Sequence, residues 1–445
     1  MKGLRVLLDG NYRLQSQGTG ISQYSRTLAS GLEALGCDVR WLAGMPAGVA
    51  DPLIDQVRFS DSPPPFEGPR RYLQTAMRMC GGLLKQRVTA RPYIDSGVVI
   101  TEPSAPRPQK TYLVPDLFAK AHYRHMLLRD FTEVRVPDKI DVLHLTAPLP
   151  IKMRGVRTVT TIHDLVPIRL PYTTPDNKAE FIHRVRKCAA MSDLIITVSE
   201  ASKRDIVEIL DIDPAKISVT YQPTDLQPLS SAEREDLPRV LQRYGLALDH
   251  YLLFVGAFEP KKNLKRLIEA FLEIDTDMPL VIVGRKAWLW DEDQVWLETL
   301  DTRARDRLRF LGYVEREDLR RLYAGAQVFL FPSLYEGFGL PALEAMTMGC
   351  PIVASETPSL LEICGDAAIF ANPFDRSNIR RQLERLLVDK SLRQALVHAS
   401  VTRSAAFSAK TYVGLLVAAY RKLDPGSTAW WGDPLSLVGS NAGEP

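Results

Sequence analysis

The chain has 445 residues, 45% hydrophobic and 24% charged, with a net charge of +3, so two or three domains with a large core are expected and an electrostatic case for nucleic acid is excluded. Its five cysteines (Cys37, Cys80, Cys188, Cys350, Cys364) are odd in number, widely spaced and lack a Cys-x-x-Cys pair, which points to reduced cytosolic thiols and against a zinc site. The N-terminus passes directly into a strand pattern and no apolar run approaches the roughly 20 residues of a membrane span, so the expected location is cytoplasmic, with at most peripheral contact on the inner face of a membrane.

Arg5 to Leu8 reads as a first strand and Asp9 to Gly20 as a polar loop containing Gly18-Thr19-Gly20. A helix follows with Ile21, Tyr24, Leu28, Leu32 and Leu35 at helical spacing, stops at Gly36, and gives way to the strand Val39 to Leu42. A βαβ opening with glycines at the helix start aims a helix N-terminus at an anion. Residues 60–136 fit this alternation poorly and read as a divergent insertion. Pro63-Pro64-Pro65 breaks the chain, and Arg70, Arg71, Arg78, Lys85, Arg87 and Arg91 then interleave with Tyr72, Leu73, Met77, Met79, Leu83 and Leu84. Such a basic amphipathic segment suits either a solvated helix or an anionic membrane surface.

Regular alternation resumes at Asp141. Thr158 to Ile162 is a strand running into His163-Asp164, and the C-terminal end of a strand in a doubly wound sheet is where such folds place ligands. After strand Leu194 to Val198, Ser199 reads as a helix N-cap with Lys203 in the first turns. The Pro- and Ser-rich stretch from Pro223 to Pro238 reads as an interdomain linker.

The second half opens with the buried strand Tyr251 to Val255, Gly256, and then Glu259-Pro260-Lys261-Lys262-Asn263. Lysines at a strand-to-helix junction put mobile positive charge over a helix N-terminus, which suits a diphosphate. After Phe310-Leu311-Gly312-Tyr313-Val314 and strand Val328 to Phe331 comes Glu336-Gly337-Phe338-Gly339-Leu340-Pro341, with Glu344 one turn into the following helix and Gly349 as its stop. The glycines let backbone N–H groups turn toward a ligand at a helix N-terminus, and the two glutamates frame that anion seat with acceptors for sugar or ribose hydroxyls.

Glu336, the Gly-Phe-Gly-Leu-Pro run and Glu344 at this spacing resemble the signature of retaining glycosyltransferases of family 4. The resemblance also covers the glycine turn at Gly20, the His163-Asp164 pair, Lys262 and the loop at Val314. It departs at position 257, where the common pattern has an arginine and this chain has Ala257; the Glu-Pro-Lys-Lys-Asn string is similar to a mannosyltransferase-like branch. The implied fold class is α/β, GT-B, with two Rossmann-like doubly wound parallel-sheet domains facing across a cleft. The expected boundaries are 1–225 for the acceptor-side domain, 226–245 for the linker, 246–408 for the nucleotide-sugar domain, 409–424 for a terminal helix crossing back, and 425–445 for a tail.

By the same resemblance, His163, Glu336 and Lys262 are the expected catalytic residues. Donor contacts are expected from Gly20, Lys261, Lys262, Val314, Glu336, Phe338, Gly339, Leu340 and Glu344, and acceptor or supporting contacts from Asp164 and Lys203. No metal and no cofactor beyond the nucleoside diphosphate sugar is implied. The expected reaction moves a hexose, with mannose from a GDP-sugar favoured over UDP-glucose or a dTDP-sugar, to a glycan or lipid-linked acceptor in surface polysaccharide or glycolipid assembly. A nucleotide-sugar-binding scaffold without catalysis is the alternative of another class.

Overall fold

The computed structural model describes residues 1, 3–11, 20–45, 51, 53–55, 57, 69–84, 86–95, 98, 110–288 and 290–424. The Gly18-Thr19 turn, the Pro63 to Pro65 break, Lys85, the side chains of Arg70 and Arg71 and the tail 425–445 lie outside that description.

An eight-stranded sheet takes β1 (Arg5–Asp9), β2 (Asp38–Met45), β4 (Arg91–Pro92), β5 (Thr111–Pro115), β7 (Val142–Leu145), β9 (Arg157–Thr161), β10 (Leu194–Thr197) and β11 (Ile217–Val219). A small parallel sheet joins β3 (Arg87–Thr89), β6 (Thr132–Arg135) and β8 (Ile151–Lys152). The large sheet is ordered β11-β10-β9-β7-β1-β2-β5-β4, parallel except for β4. A second sheet, all parallel, holds β12 (Leu252–Val255), β13 (Leu280–Val283), β14 (Leu308–Gly312), β15 (Val328–Phe331), β16 (Ile352–Ser355) and β17 (Ile369–Ala371) in the order β14-β13-β12-β15-β16-β17. Runs such as Leu-Val-Ile-Val in β13 and Val-Phe-Leu-Phe in β15 are buried end to end. That is the composition of parallel strands covered by helices on both faces. In each sheet the strand order reverses beside the first strand, between β1 and β7 and between β12 and β15, and the crevice at such a reversal is where open α/β sheets bind ligands.

Two sequence expectations need correction. The insertion placed at 60–136 contains β5, which pairs with β2 over five residues and belongs to the main sheet. The linker placed at 226–245 is mostly a helix, Ser231–Arg243, started by a reciprocal capping box between Ser230 and Glu233. Its apolar Leu237, Val240 and Leu241 recur at helical spacing and are buried, which overrides the loop-like Ser, Pro and acidic composition. In the basic segment, Arg78 pairs with Asp116, Arg87 with Glu133 and Arg91 with Asp55, so these charges already have acidic partners.

Helix Ala409–Arg421, late in the chain, lies on the first domain. Gly31 of helix Gly20–Ala34 leaves room for it: a Cβ there would stand 3.0 Å from Leu416 Cδ1 and 3.3 Å from the Tyr412 ring. Its Tyr420 hydroxyl meets His144 Nδ1 at 2.7 Å, His144 Nε2 meets Thr161 Oγ1 at 2.8 Å, and Thr161 Oγ1 meets the Tyr24 hydroxyl at 2.8 Å, all buried.

Burial pulls His144 down to about 3, so it stays neutral in the fold while the unfolded chain takes up protons below about pH 6.5, and burial lowers His125 in the same direction against its Glu180 contact. Their stabilisation is complete above that pH and is lost as pH falls, by about 2 kcal/mol between pH 7 and 5 for His144. Asp9 acts in the opposite sense. Burial raises it to about 6 against its hydrogen bonds from Thr146 and Asn11, so its folded form gains a proton first and becomes relatively more stable as pH drops through 6. Asp9→Asn removes that offset and is expected to steepen the acid loss between pH 7 and 5 by about 1 kcal/mol, read from urea unfolding at the two pH values. An unchanged slope would show that Asp9 is ionised in the fold.

Candidate active site

The second domain supplies two loops at its strand-order reversal. After β12, Pro260 to Lys262 forms a single tight turn and Asn263 takes a left-handed conformation (φ 58°) that asparagine tolerates. Its side-chain amide donates to Pro332 O at 3.0 Å and Pro373 O at 2.7 Å, which fastens this turn to the loops after β15 and β17. Leu334 N donates to Lys261 O at 2.7 Å and completes the junction.

This junction brings the charged groups together. Lys262 Nζ is 2.6 Å from Glu336 Oε1 and 5.0 Å from the centre of the Phe331 ring, and both ion-pair partners are buried. Burial pushes the Glu336 carboxyl up, but Lys262 and Lys261 outweigh it and hold the group below the usual carboxylate range. Burial likewise pulls the Lys261 ammonium down, and Glu336, Asp164 and Glu259 more than reverse it. Both groups are therefore charged, a carboxylate between two cations. Glu259, buried beside Lys261, is pushed up by burial, with Lys261 and Lys262 opposing. The sequence reading passed over it, although it opens the Glu-Pro-Lys-Lys-Asn string.

Gly339 (φ 103°) precedes helix Leu340–Met348, whose first turn carries no side-chain cap. A Cβ on Gly339 would fall 2.5 Å from Leu360 Cδ2, so glycine is needed for both its conformation and its space. The helix start thus carries N–H groups without a side-chain cap and the positive end of a dipole of about half a charge, a few residues beyond Glu336.

The first domain faces this loop with His163 and Asp164, just beyond β9. His163 Nε2 lies 2.9 Å from Thr146 O, which requires a proton on Nε2 and leaves Nδ1 as the acceptor of the neutral ring. Burial lowers the imidazole pKa against the Thr146 and Asp164 contacts, which favours that neutral form. The Tyr24 ring meets it edge-on, with centroids 4.6 Å apart. Asp164 Oδ1 accepts from Val166 N at 3.1 Å, fixing the turn that follows. The domains touch here: a Cβ on Gly337 would lie 2.6 Å from His163 O and 3.1 Å from Asp164 Cβ.

His163, Asp164, Lys261, Lys262, Glu336 and the Gly339 to Leu340 backbone are thus gathered at one place, and other expected residues are not. Lys203 lines a separate open depression of about 370 Å³ with Glu200, Arg204, Val207, Glu208 and Pro214. Val314 and Phe338 turn their side chains into the core, Phe338 against Phe407, so neither side chain is presented to a ligand. Gly20 is exposed at its helix start, and a Cβ there would meet nothing within 4 Å. Glu344 is buried with Arg316 Nη1 at 2.9 Å and Tyr323 OH at 3.0 Å on its two oxygens, partners that sequence spacing could not reveal.

Known families match both halves of the chain: "Glycosyltransferase Family 4" over residues 18–228 and "Glycosyl transferases group 1" over residues 246–402. The O-antigen chain mannosyltransferase B of Escherichia coli is 35% identical over 273 residues, which cover 60% of this chain and 71% of that protein. The chain belongs to glycosyltransferase family 4. The serotype-specific mannosyltransferase WbdA of Escherichia coli is 28% identical over 285 residues, 62% of this glycosyltransferase but only 35% of the longer relative. Among solved structures, sucrose-phosphate synthase (tll1590) from Thermosynechococcus elongatus superposes with a TM-score of 0.66 at 17% identity, covering 95% of this chain and 100% of that one. The glycosyltransferase has the GT-B fold, two Rossmann-like domains, and it is an enzyme of hexosyl transfer.

Proposed function

We propose that this glycosyltransferase moves a mannosyl residue from GDP-mannose or a related GDP-sugar to a hydroxyl of a growing surface glycan, with retention at the anomeric carbon and without a metal ion. The observation that carries the chemistry is the Lys262–Glu336 ion pair, with Lys261 close enough to help hold Glu336 ionised, in the loop whose Gly337 packs against His163 O. As the glycosidic bond breaks, negative charge grows on the departing diphosphate, and the two ammonium groups with the uncapped helix Leu340–Met348 stabilise it where it develops. Glu336, held ionised, accepts from hydroxyls of the transferred sugar, and His163 Nδ1 accepts at its reacting face. Contact between the domains excludes the water that would otherwise hydrolyse the donor. The mannosyl assignment is supported by the names of the relatives and the GDP donor by the mannosyltransferase-like Glu-Pro-Lys-Lys-Asn string.

Thermal unfolding with GDP, UDP and dTDP tests the donor class, because a ligand of the folded state raises stability with the logarithm of its saturation. GDP is expected to give the largest shift, followed by transfer from GDP-mannose that persists in EDTA. A larger shift with UDP or dTDP would replace the donor, and no shift with any nucleotide would overturn the reading. No helix among the described residues is long and apolar enough to cross a membrane. With a lipid-linked acceptor, peripheral contact through exposed Met126, Leu127 and Leu128 is part of the proposal. Vesicle pelleting unaffected by Leu127→Ser with Leu128→Ser would remove that part.

A further inference from the structure

The start of helix Glu200–Leu210, in the first domain, is bonded to the donor loop of the second. Ser199 caps the helix by accepting from Ser202 N at 3.0 Å, and its hydroxyl donates to Gly337 O at 2.6 Å. Ser202 Oγ lies 2.9 Å from His163 O and 3.1 Å from Gly337 O, so a single hydroxyl proton is shared between one carbonyl from each domain. On the flank of the same helix end, the Glu362 carboxylate of the second domain accepts from Glu200 N at 2.7 Å, Ala201 N at 2.8 Å and the Tyr221 hydroxyl at 2.9 Å. A negative group on free N–H groups at a helix start is favourable, and here it acts between domains.

The position of these bonds gives them a consequence for the chemistry. His163 O belongs to the residue that faces the sugar, and Gly337 directly follows Glu336. Ser202 has no need of its hydroxyl to build the helix, since alanine has the higher helix propensity, yet it is only 1% exposed and its oxygen spans the domain boundary. We propose that Ser202 is a positioning residue that sets the separation of His163 from Glu336, and that Glu362 holds the helix start in the place where it can do so. This rests on the glycosyltransferase reading of the site. The donor-side carboxylate reaches its working geometry only when the first domain is docked, which couples closure to competence.

Ser202→Ala is the test. Its unfolding midpoint is expected to match wild type and its affinity for GDP alone to be unchanged in calorimetry, because neither needs the bridge. Transfer kcat is expected to fall about tenfold, with donor hydrolysis rising relative to transfer, as a misplaced and less well closed site would give. Glu362→Ala is expected to shift the same partition and to enlarge the radius of gyration in small-angle scattering without nucleotide. Wild-type kcat and wild-type partition in Ser202→Ala would overturn the proposal. Should the wild-type chain transfer no sugar from any donor, the functional reading fails instead. The scattering of both variants then decides the bridge by itself: a radius equal to wild type in both overturns it, and expansion supports it.

Discussion

Replacing Lys262 with methionine is expected to lower kcat/KM for transfer by about 10²–10³-fold and to cost about 3–5 kcal/mol of stability. The rate effect follows from the proposed reaction, in which Lys262 is a cation at the point where diphosphate charge develops. The stability effect follows from leaving Glu336 buried without its partner at 2.6 Å, with Lys261 as the remaining compensation. The paired Glu336 has a folded pKa below its unfolded value, so its stabilisation is present above the ordinary carboxylate range and is lost as pH falls through the folded pKa. In Lys262→Met that acid-sensitive contribution shrinks. The double variant Lys262→Met with Glu336→Gln separates the two effects. With no buried charge left unpaired, most of the stability returns in urea unfolding, while initial transfer rates stay low. Recovery of the rate together with the stability would show that the pair serves only the fold.

His163→Ala is expected to fold with a near-native midpoint and to lose about 10²–10³-fold in kcat with little change in donor KM. Thr146 O loses the Nε2 donor, a modest cost for a half-buried ring, whereas the proposed reaction loses the Nδ1 acceptor at the sugar's reacting face. His163→Gln keeps a side-chain acceptor and is expected to retain more activity than His163→Ala. Because burial lowers the imidazole pKa, the neutral ring persists below pH 6.5, so any loss of kcat traceable to His163 lies on the acid side. Rates of the two variants across pH 5 to 8 check this, and equal rates for wild type and His163→Ala would remove the residue from the reaction.

Much of the architecture was legible because parallel sheets buried on both faces require continuous apolar strands, and Leu194 to Thr197, Leu252 to Val255 and Val328 to Phe331 have that form in any context. The segments that misled are those where local composition and tertiary contact disagree. Thr111 to Pro115 sits amid basic, proline-rich sequence and became a sheet strand because β2 offered it an edge. Ser231 to Arg243 has linker composition, and it became a helix once Leu237, Val240 and Leu241 had a core to enter.

The candidate site divides the same way. Residue types that chemistry demands within a short span, Glu336 with the glycines and Lys261 with Lys262 beside a helix start, could be located from the sequence because their spacing along the backbone already sets their grouping. The sequence by itself also carried the resemblance to the family and placed His163 and Asp164 at the C-terminal end of a strand, whereas the strand-order reversals came from the structure. The tertiary structure decided what no local pattern contains. Lys262 pairs with a carboxylate 74 positions away, Arg316 and Tyr323 occupy Glu344, and Ser202 stands between His163 and Gly337, 135 positions apart in its bond to the latter. The Ser202 bond depends on how two independently formed sheets come together, and the Lys262 and Glu344 contacts on how the strands of the second sheet are ordered. The short-range periodicities that specify each element carry no information about either.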